Sequence, residues 1–438
     1  MPRARPQRIV IVGGGAGGLE LATRLGRRLG RSGKADVVLV DSSLVHVWKP
    51  LYHEVAAGTL DSQADAVTYL AQAYRNGFRF QYGRMSGLDR ERKQILLAPL
   101  CDESGNEIGP ASEVAYEVLV IAVGSVSNHF GIPGAAEHCL HLDTLAQAED
   151  FHRRLVRLLL RAQTAPQQLA PLRIAIIGGG ATGVELAAEL HTAAQRATHY
   201  GVVGLRPGQD WWLCLIEAAP RLLPPLSPHL AAKAEAQLRR LGVEVLTGER
   251  VEAVTADGVE LQSGRRIRAS VKVWAAGIKA PSWLATLGLE TNAAGQLLVR
   301  ETLQTTRDDA IFALGDCASA PLPGSSRPVP PRAQAAHQQA RFLAGALAGQ
   351  LQGKPLGRFV YRDRGSLISL SQHDAVGRLM GNLFGSSSSL TIEGALARFA
   401  YNSLYRRHLI ALYGPFRTAV LGLARRLTRP VRLRLKLH

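Results

Sequence analysis

"RIAIIGGGATGVELAAEL", residues 173–190, uses a pattern that the chain has already used in "RIVIVGGGAGGLELATRL", residues 8–25. In each, a short run of Ile, Val and Ala meets glycines spaced Gly-x-Gly-x-x-Gly, and a helical pattern follows. The glycines are Gly13, Gly15 and Gly18 in the first copy, and Gly178, Gly180 and Gly183 in the second. The first glycine of such a set permits a tight turn. The second lets backbone approach a pyrophosphate, and the third lets helix and strand pack closely. The helix that starts there offers free N–H groups and the positive end of its dipole to an anion.

An acid closes the following strand in both copies. Asp41 ends "ADVVLVD" (35–41) and Glu217 ends "WWLCLIE" (211–217). A carboxylate at that place accepts hydrogen bonds from a ribose. Glu217 would bind a 2′-hydroxyl and repel a 2′-phosphate, which favours NADH over NADPH, although Arg221 close by would soften that preference. Thr182 lies in the same turn and belongs with this second set. Two cradles imply two dinucleotides, and the economical arrangement is a bound flavin that takes hydride from a mobile nicotinamide.

Further strands are expected at "EVLVIAVG" (117–124), "VKVWAAG" (271–277) and "DAIFALGD" (309–316). Each runs into a small residue and glycine, as backbone near a ligand requires. That adds Gly124 and Gly277 to the candidates. Alternating strands and helices predict an α/β fold with parallel sheets. Loops are expected at 161–172, 321–331 and 385–389. At 438 residues the chain is long enough for two or three domains.

Cys101, Cys139, Cys214 and Cys317 form no close pair. They offer neither a metal framework nor a disulfide scaffold, and suit a reducing compartment. No run of about 18 apolar residues exists, so no transmembrane helix is expected. The N-terminus lacks the apolar core of a secretory signal.

The formal charge of +17 is concentrated at one end: residues 395–438 hold ten Arg and Lys and no acid. Read as a helix, "PFRTAVLGLARRL" (415–427) gathers Phe416, Ala419, Val420, Leu423 and Leu427 on one face. Arg417, Arg425 and Arg426 fall on its flanks and far side. "PVRLRLKLH" (430–438) then alternates apolar and basic residues. This is an interfacial pattern, apolar face toward acyl chains and Arg toward anionic headgroups. The same face would also serve packing on the protein's own core or in a homodimer. No nucleic-acid motif or aromatic-interleaved basic platform accompanies it, so no nucleic-acid partner is expected.

These motifs resemble the two-dinucleotide-binding flavoproteins, and within them the type II NADH dehydrogenases, along essentially the whole chain. The sharpest marks are "VWKPLYHEVAAGTLD" (47–61), "IFALGDCA" (311–318), "AQAAHQQA" (333–340) and "SLYRRHLIAL" (403–412). The resemblance implies two Rossmann-like domains: an FAD domain of residues 1–140 and 279–345, with an NADH domain, 141–278, inserted in it. A C-terminal amphipathic, membrane-associating segment, 346–438, completes the chain.

It implies FAD on Gly13, Gly15, Gly18, Asp41, Gly124 and Asp316, with Lys49, Pro50 and Leu51 bordering the flavin ring. It implies NADH as substrate on Gly178, Gly180, Thr182, Gly183, Glu217 and Gly277. Gln334 and Gln338, one turn apart on a helix, would line a pocket for a membrane quinone. Glu185 would lie near the nicotinamide–flavin contact, orienting nicotinamide or assisting proton delivery. A carboxylate simply favoured by the helix dipole is the other reading of Glu185. His53 is read as a packed loop residue and His337 as a neighbour.

The activity implied is NADH:quinone oxidoreduction without proton pumping, by a peripheral protein on the cytoplasmic face of the bacterial inner membrane. A reductase of a soluble ferredoxin- or rubredoxin-like protein, and an NADH sensor without quinone turnover, are the competing readings. Residues 42–60 contain no cysteine, which excludes the redox pair of related disulfide reductases.

Overall fold

The computed structural model describes residues 6–164, 172–200, 211–370, 374–380 and 389–428. Its first sheet starts with strands β1 (Gln7–Val12), β2 (Ala35–Asp41), β3 (Arg79–Tyr82) and β4 (Val118–Ile121). The chain then builds a second sheet from β5 (Leu172–Ile177), β6 (Trp211–Glu217), β7 (Val243–Thr247) and β8 (Val271–Trp274). It returns to the first sheet as β9 (Ile311–Ala313). The orders are β9-β4-β1-β2-β3 and β7-β6-β5-β8, with every pairing parallel. Parallel strands covered on both faces need apolar residues on both. Val118–Ile121 is buried at every position, and so are the last four residues of β1 and β5.

Helices α1 (Ala16–Leu25), α2 (Tyr52–Ala57), α3 (Leu145–Thr164), α4 (Ala181–His199), α5 (Ala333–Gln350), α6 (Gly394–Tyr413) and α7 (Pro415–Thr428) position the chemistry. Helix α1 follows β1 and α4 follows β5, so the repeated motif builds the same strand–turn–helix unit twice. The loop expected from residue 161 starts later, because α3 continues through Thr164. Its buried face, Phe151, Leu155 and Leu159, carries the helical period onward. Of the other expected loops, most of 385–389 lies outside the described residues.

The two sheets are joined where Val126–Ser127 pairs antiparallel with Ile278–Lys279. The Trp274 indole N–H donates to Asn128 O at 2.9 Å and Ala276 O at 2.7 Å, tying both crossings together. Ala135 and Cys139 pack with Val251, Val254 and Ile267, so the stretch before residue 141 already shares the second sheet's core.

Beyond α5, strands β10 (Gly365–Leu370), β11 (Asp374–Met380) and β12 (Ser389–Glu393) form an antiparallel sheet that leads into α6 and α7. Among the described residues no helix is long and apolar enough to cross a membrane.

Candidate functional site

The two glycine turns match each other atom for atom. Gly13 and Gly178 have φ of 101° and 113°, which only glycine adopts without strain. A Cβ on Gly18 would stand 1.8 Å from Gly13 O, and one on Gly183 would stand 1.9 Å from Gly178 O. Helix and strand therefore touch through the third glycine of each set. Gly15 and Gly180, in contrast, have nothing within 4 Å of a Cβ. Each turn thus has a closed side against its own strand and an open side at the helix N-terminus, where a pyrophosphate fits.

The acids lock both turns. Gly14 N donates to Asp41 Oδ2 at 2.5 Å and Ser43 N to Oδ1 at 2.8 Å. Gly179 N donates to Glu217 Oε2 at 2.6 Å and Ala219 N to Oε1 at 2.7 Å. Burial raises the Asp41 pKa above the ordinary value, against the pull of these backbone donors. Arg221 is turned to its own loop, donating to Leu226 O at 2.7 Å and Pro224 O at 2.8 Å. It is therefore held away from the softening role expected of it.

Beside the first turn, distant segments converge. Lys49 Nζ donates to Ser125 O at 2.9 Å, and Ser125 Oγ donates to Asp316 Oδ2 at 2.9 Å. Gly124, with φ of 72°, faces open space next to them. Burial raises the Asp316 pKa, opposed by Ser125 and the Lys49 charge. Pro50 and the buried Leu51 follow Lys49 in one short 3-10 turn. Ser125 and Tyr69, whose hydroxyl donates to Gly14 O at 2.8 Å, were not legible beforehand. Neither sits in a glycine or acid motif.

Beside the second turn, Thr182 is exposed in the first turn of α4. Gly277 is covered, because a Cβ there would meet the Phe130 ring at 2.3 Å. Glu185 is buried, 7% exposed, one turn into α4. It accepts from Ser369 N at 3.0 Å, and its Oε2 lies 3.7 Å from His53 Nδ1. It therefore faces α2 and β10, more than a dipole-favoured terminal carboxylate would need.

Gln334 and Gln338 share a face of α5, as expected, but their amides are engaged. Gln334 Nε2 donates to Gly365 O at 3.0 Å and its Oε1 accepts from Arg364 N at 3.1 Å. Gln338 Nε2 donates to Arg362 O at 2.9 Å and its Oε1 accepts from Arg362 N at 3.0 Å. Both clasp a strap, residues 362–365, so a free donor awaiting a carbonyl is not what the geometry presents. Neighbouring residues carry more than expected. Gln339 Oε1 accepts from Gly315 N at 2.8 Å, and His337 Nδ1 meets Glu20 Oε2 at 2.5 Å. Burial raises the Glu20 pKa, but His337 and Arg24 outweigh it and leave it low. Ala336 does what a small residue should: its Cβ lies 3.2 Å from a Cβ built on Gly17, letting α5 press on α1.

The model of the pyridine nucleotide-disulphide oxidoreductases matches residues 7–340, which span both turns and the start of α5. A type II NADH:quinone oxidoreductase of Haemophilus influenzae is 42% identical over 98% of this chain and 99% of its own length. This chain belongs to the type II NADH:quinone oxidoreductases, within the pyridine nucleotide-disulphide oxidoreductase family. A Mycobacterium tuberculosis relative of the same name is 28% identical over 93% of this chain and 86% of its own. The solved structure of Plasmodium falciparum NDH2 in complex with NADH superposes with a TM-score of 0.77. It covers 94% of this chain and 100% of its own at 19% identity, a likeness of fold.

In this type II oxidoreductase the cysteines are not redox partners of one another. Cys317 is buried, with its thiol pushed up to about 11 by burial, and Cys139 is pushed up to about 12. Such thiols stay protonated and inert. On α7, Phe416, Val420, Leu423 and Leu427 are exposed, as the interfacial reading expects. Arg425 departs from it. Its guanidinium turns inward, 2.5 Å from Asp65 and over the Tyr405 ring. The alternating end, 430–438, lies outside the described residues.

Proposed function

We propose that the chain catalyses NADH:quinone oxidoreduction, without proton pumping, with FAD on the first cradle and NADH on the second. The observation that carries this reading is the duplicated turn with its open side at Gly15 and again at Gly180. When bound, the flavin accepts hydride from nicotinamide and hands two electrons to a second acceptor. The protein's part is placement. Asp41 fixes the first turn and is available to a ribose; Lys49, Pro50, Leu51, Gly124 and Asp316 border the rest of the flavin. Gly178, Gly180, Thr182, Gly183 and Glu217 hold NADH, with Gly277 behind the exposed Phe130 ring. Glu185 sits where nicotinamide reaches the flavin.

The quinone site is placed beside α5. Gln334 and Gln338 shape it by holding the 362–365 strap, and contact a quinone only by giving up one of those bonds. The domain division follows: 1–140 with 279–345 for FAD, 141–278 for NADH, and 346–438 for docking. The entering stretch 132–139 packs with the NADH half. The exposed apolar face of α7 with its flanking Arg fits an anionic lipid surface, on the cytoplasmic face where NADH is found. A homodimer is compatible with the same face, and no nucleic-acid role is proposed. The soluble-acceptor reading is not favoured, since near-full-length relatives are named as quinone oxidoreductases.

The test is an anaerobic titration of purified protein with NADH, then with a short-chain quinone. Bleaching of a flavin spectrum by NADH and its return with quinone are expected. Absence of flavin, or return only with oxygen, overturns the assignment.

A further inference from the structure

Reducing a quinone to a quinol takes two electrons and two protons. Hydride from NADH brings both electrons and one hydrogen nucleus, so each turnover draws one proton from water. That proton has to enter a buried site. Helix α2 carries a set of groups suited to conduct it.

His53 is 2% exposed and lies between two carboxylates. Its Nδ1 is 3.7 Å from Glu185 Oε2, and its Nε2 is 3.9 Å from Glu54 Oε1. Backbone at Pro50 favours the protonated ring, and burial outweighs it. Nε2 is buried without any hydrogen-bond partner, and Glu54 Oε1 is the carboxylate oxygen nearest to it. An unpartnered buried nitrogen is costly to keep, at about 1–3 kcal/mol, and invites a reason. Of the three side chains Glu54 is the most open, 24% exposed, against 2% for His53 and 9% for Glu185. One end meets water and the other meets the proposed nicotinamide–flavin contact.

The charges around Glu54 favour a carried proton. Glu185 and Glu189 face it from α4, Asp65 from a short helix, and Tyr405 from α6; Arg196 on α4 opposes them. Helix α3, also packed on α2, brings Glu149, which accepts from Ser62 Oγ, and the buried His152. Burial and the two α4 carboxylates push Glu54 up to about 8, so it holds its proton at neutral pH. Burial holds His53 down at about 4, so the ring passes a proton without storing one.

We propose that His53 is a proton-relay residue, taking the second proton of each turnover from Glu54 at the surface and passing it to Glu185 at the reaction site. Nε2 accepts the Glu54 proton while Nδ1 releases its own to Glu185. Water then reprotonates Glu54, and the ring returns to its first tautomer. No electrons move through the relay. The inference rests on the function proposed above.

The experiment uses flavin-loaded full-length protein and a short-chain benzoquinone, with the two half-reactions measured separately by stopped flow. His53→Asn should slow the quinone half-reaction at least about tenfold more than the NADH half-reaction. Added imidazole should restore part of the loss. Glu54→Gln, at a partly exposed position, tests the relay even if the His53 variant does not fold. It should act in the same direction. It should also remove an infrared carbonyl band of protonated carboxyl that wild type shows at pH 7 and loses near pH 8, a readout independent of turnover. If that band is absent, or if both variants reoxidise with quinone as wild type does, the relay is wrong. If wild type itself is not reoxidised by quinone, the underlying function fails and the relay with it.

Discussion

His408 on α6 and His46, in the short strand Val45–His46 behind the first cradle, point their Nε2 atoms at each other across 2.9 Å. His408 also stacks on Trp48 and lies 5.3 Å, ring to ring, from His337. Backbone at Gly14 adjoins His46 and favours its protonated form, so the C-terminal helix docks one step from the phosphate turn. Burial holds His46 at about 4 and His408 well below its ordinary value, with the neighbouring His rings adding to this. A neutral pair shares one proton between the two Nε2 atoms; a second proton there breaks the bond and leaves a charged ring buried.

Acid should therefore loosen this joint. A depressed histidine pKa gives stability that is complete above the unfolded value, about 6.5, and is lost as pH falls from there toward about 4. The buried acids Asp41 and Asp316, with raised pKa values, work in the opposite direction. Comparison with His408→Ala isolates the histidine part. Denaturation midpoints of wild type should fall between pH 7 and pH 5 more steeply than those of His408→Ala. At pH 7 the variant should itself be about 1–3 kcal/mol weaker, from the buried nitrogen left on His46. Parallel profiles would refute the coupling.

The cradles can be told apart by filling their open sides. Gly15→Val and Gly180→Val add side chains where the folded protein has space, so both should fold. Gly15→Val should purify without flavin. Gly180→Val should keep its flavin but lose NADH affinity by at least about tenfold, roughly 1.4 kcal/mol or more. Flavin content by absorbance and NADH binding by calorimetry decide it, and the opposite pattern would exchange the two assignments. Gly18→Ala should instead fail to fold, since its Cβ would overlap Gly13 O.

What the sequence could and could not reveal follows from the range of each interaction. The glycine turns, Asp41 and Glu217 were legible because the contacts that define them, Gly18 on Gly13 and Asp41 on Gly14 and their counterparts in the second copy, are made within one strand–turn–helix unit. The convergence of Lys49, Ser125 and Asp316 joins residues far apart in the chain, and only the resemblance pointed to it. His53 looked like packing because its meaning lies in Glu185, on a helix of the other sheet. Gln334 and Gln338 had the right helical spacing. Their partners at 362–365 are mostly backbone groups, which carry no side-chain signature, with Asp363 the one side chain among them. Arg425 was assigned by helical period to the flanks and far side of α7, facing headgroups, and Asp65 and the Tyr405 ring turn it inward.

Nucleotide preference should depend on Glu217 more simply than its surroundings suggest. Arg221 is held by two loop carbonyls, and among the described residues no ion pair to Glu217 is found. Glu217→Arg should raise the NADPH:NADH ratio of kcat/KM at least about tenfold. It should also weaken both nucleotides, because Gly179 N and Ala219 N lose their acceptor. Steady-state kinetics with both nucleotides would show an unchanged ratio if Glu217 does not face the ribose.

The strap makes a separate claim on the quinone end. Gln338→Leu removes both bonds to Arg362 while keeping the shape of α5. Amide exchange at residues 362–365 should quicken, and the quinone half-reaction should slow more than the NADH half-reaction. Equal slowing of the two would place the strap's role in overall stability.

The inward turn of Arg425 separates docking within the protein from docking on lipid. Leu423 and Leu427 are 60% and 71% exposed, so charges placed there disturb no packing. The double variant Leu423→Asp, Leu427→Asp should keep the wild-type melting temperature yet cease to sediment with anionic vesicles. Arg425→Ala should do the reverse. It removes the ion pair to Asp65 and the stacking on Tyr405, loosening α7 from the body while leaving the apolar face intact. The guanidinium is about a third exposed, so that loss should stay near 1 kcal/mol or less. If the double variant still binds vesicles, the exposed face of α7 is not the lipid contact, and Arg417 and Arg426 beside it would have no anionic surface to meet.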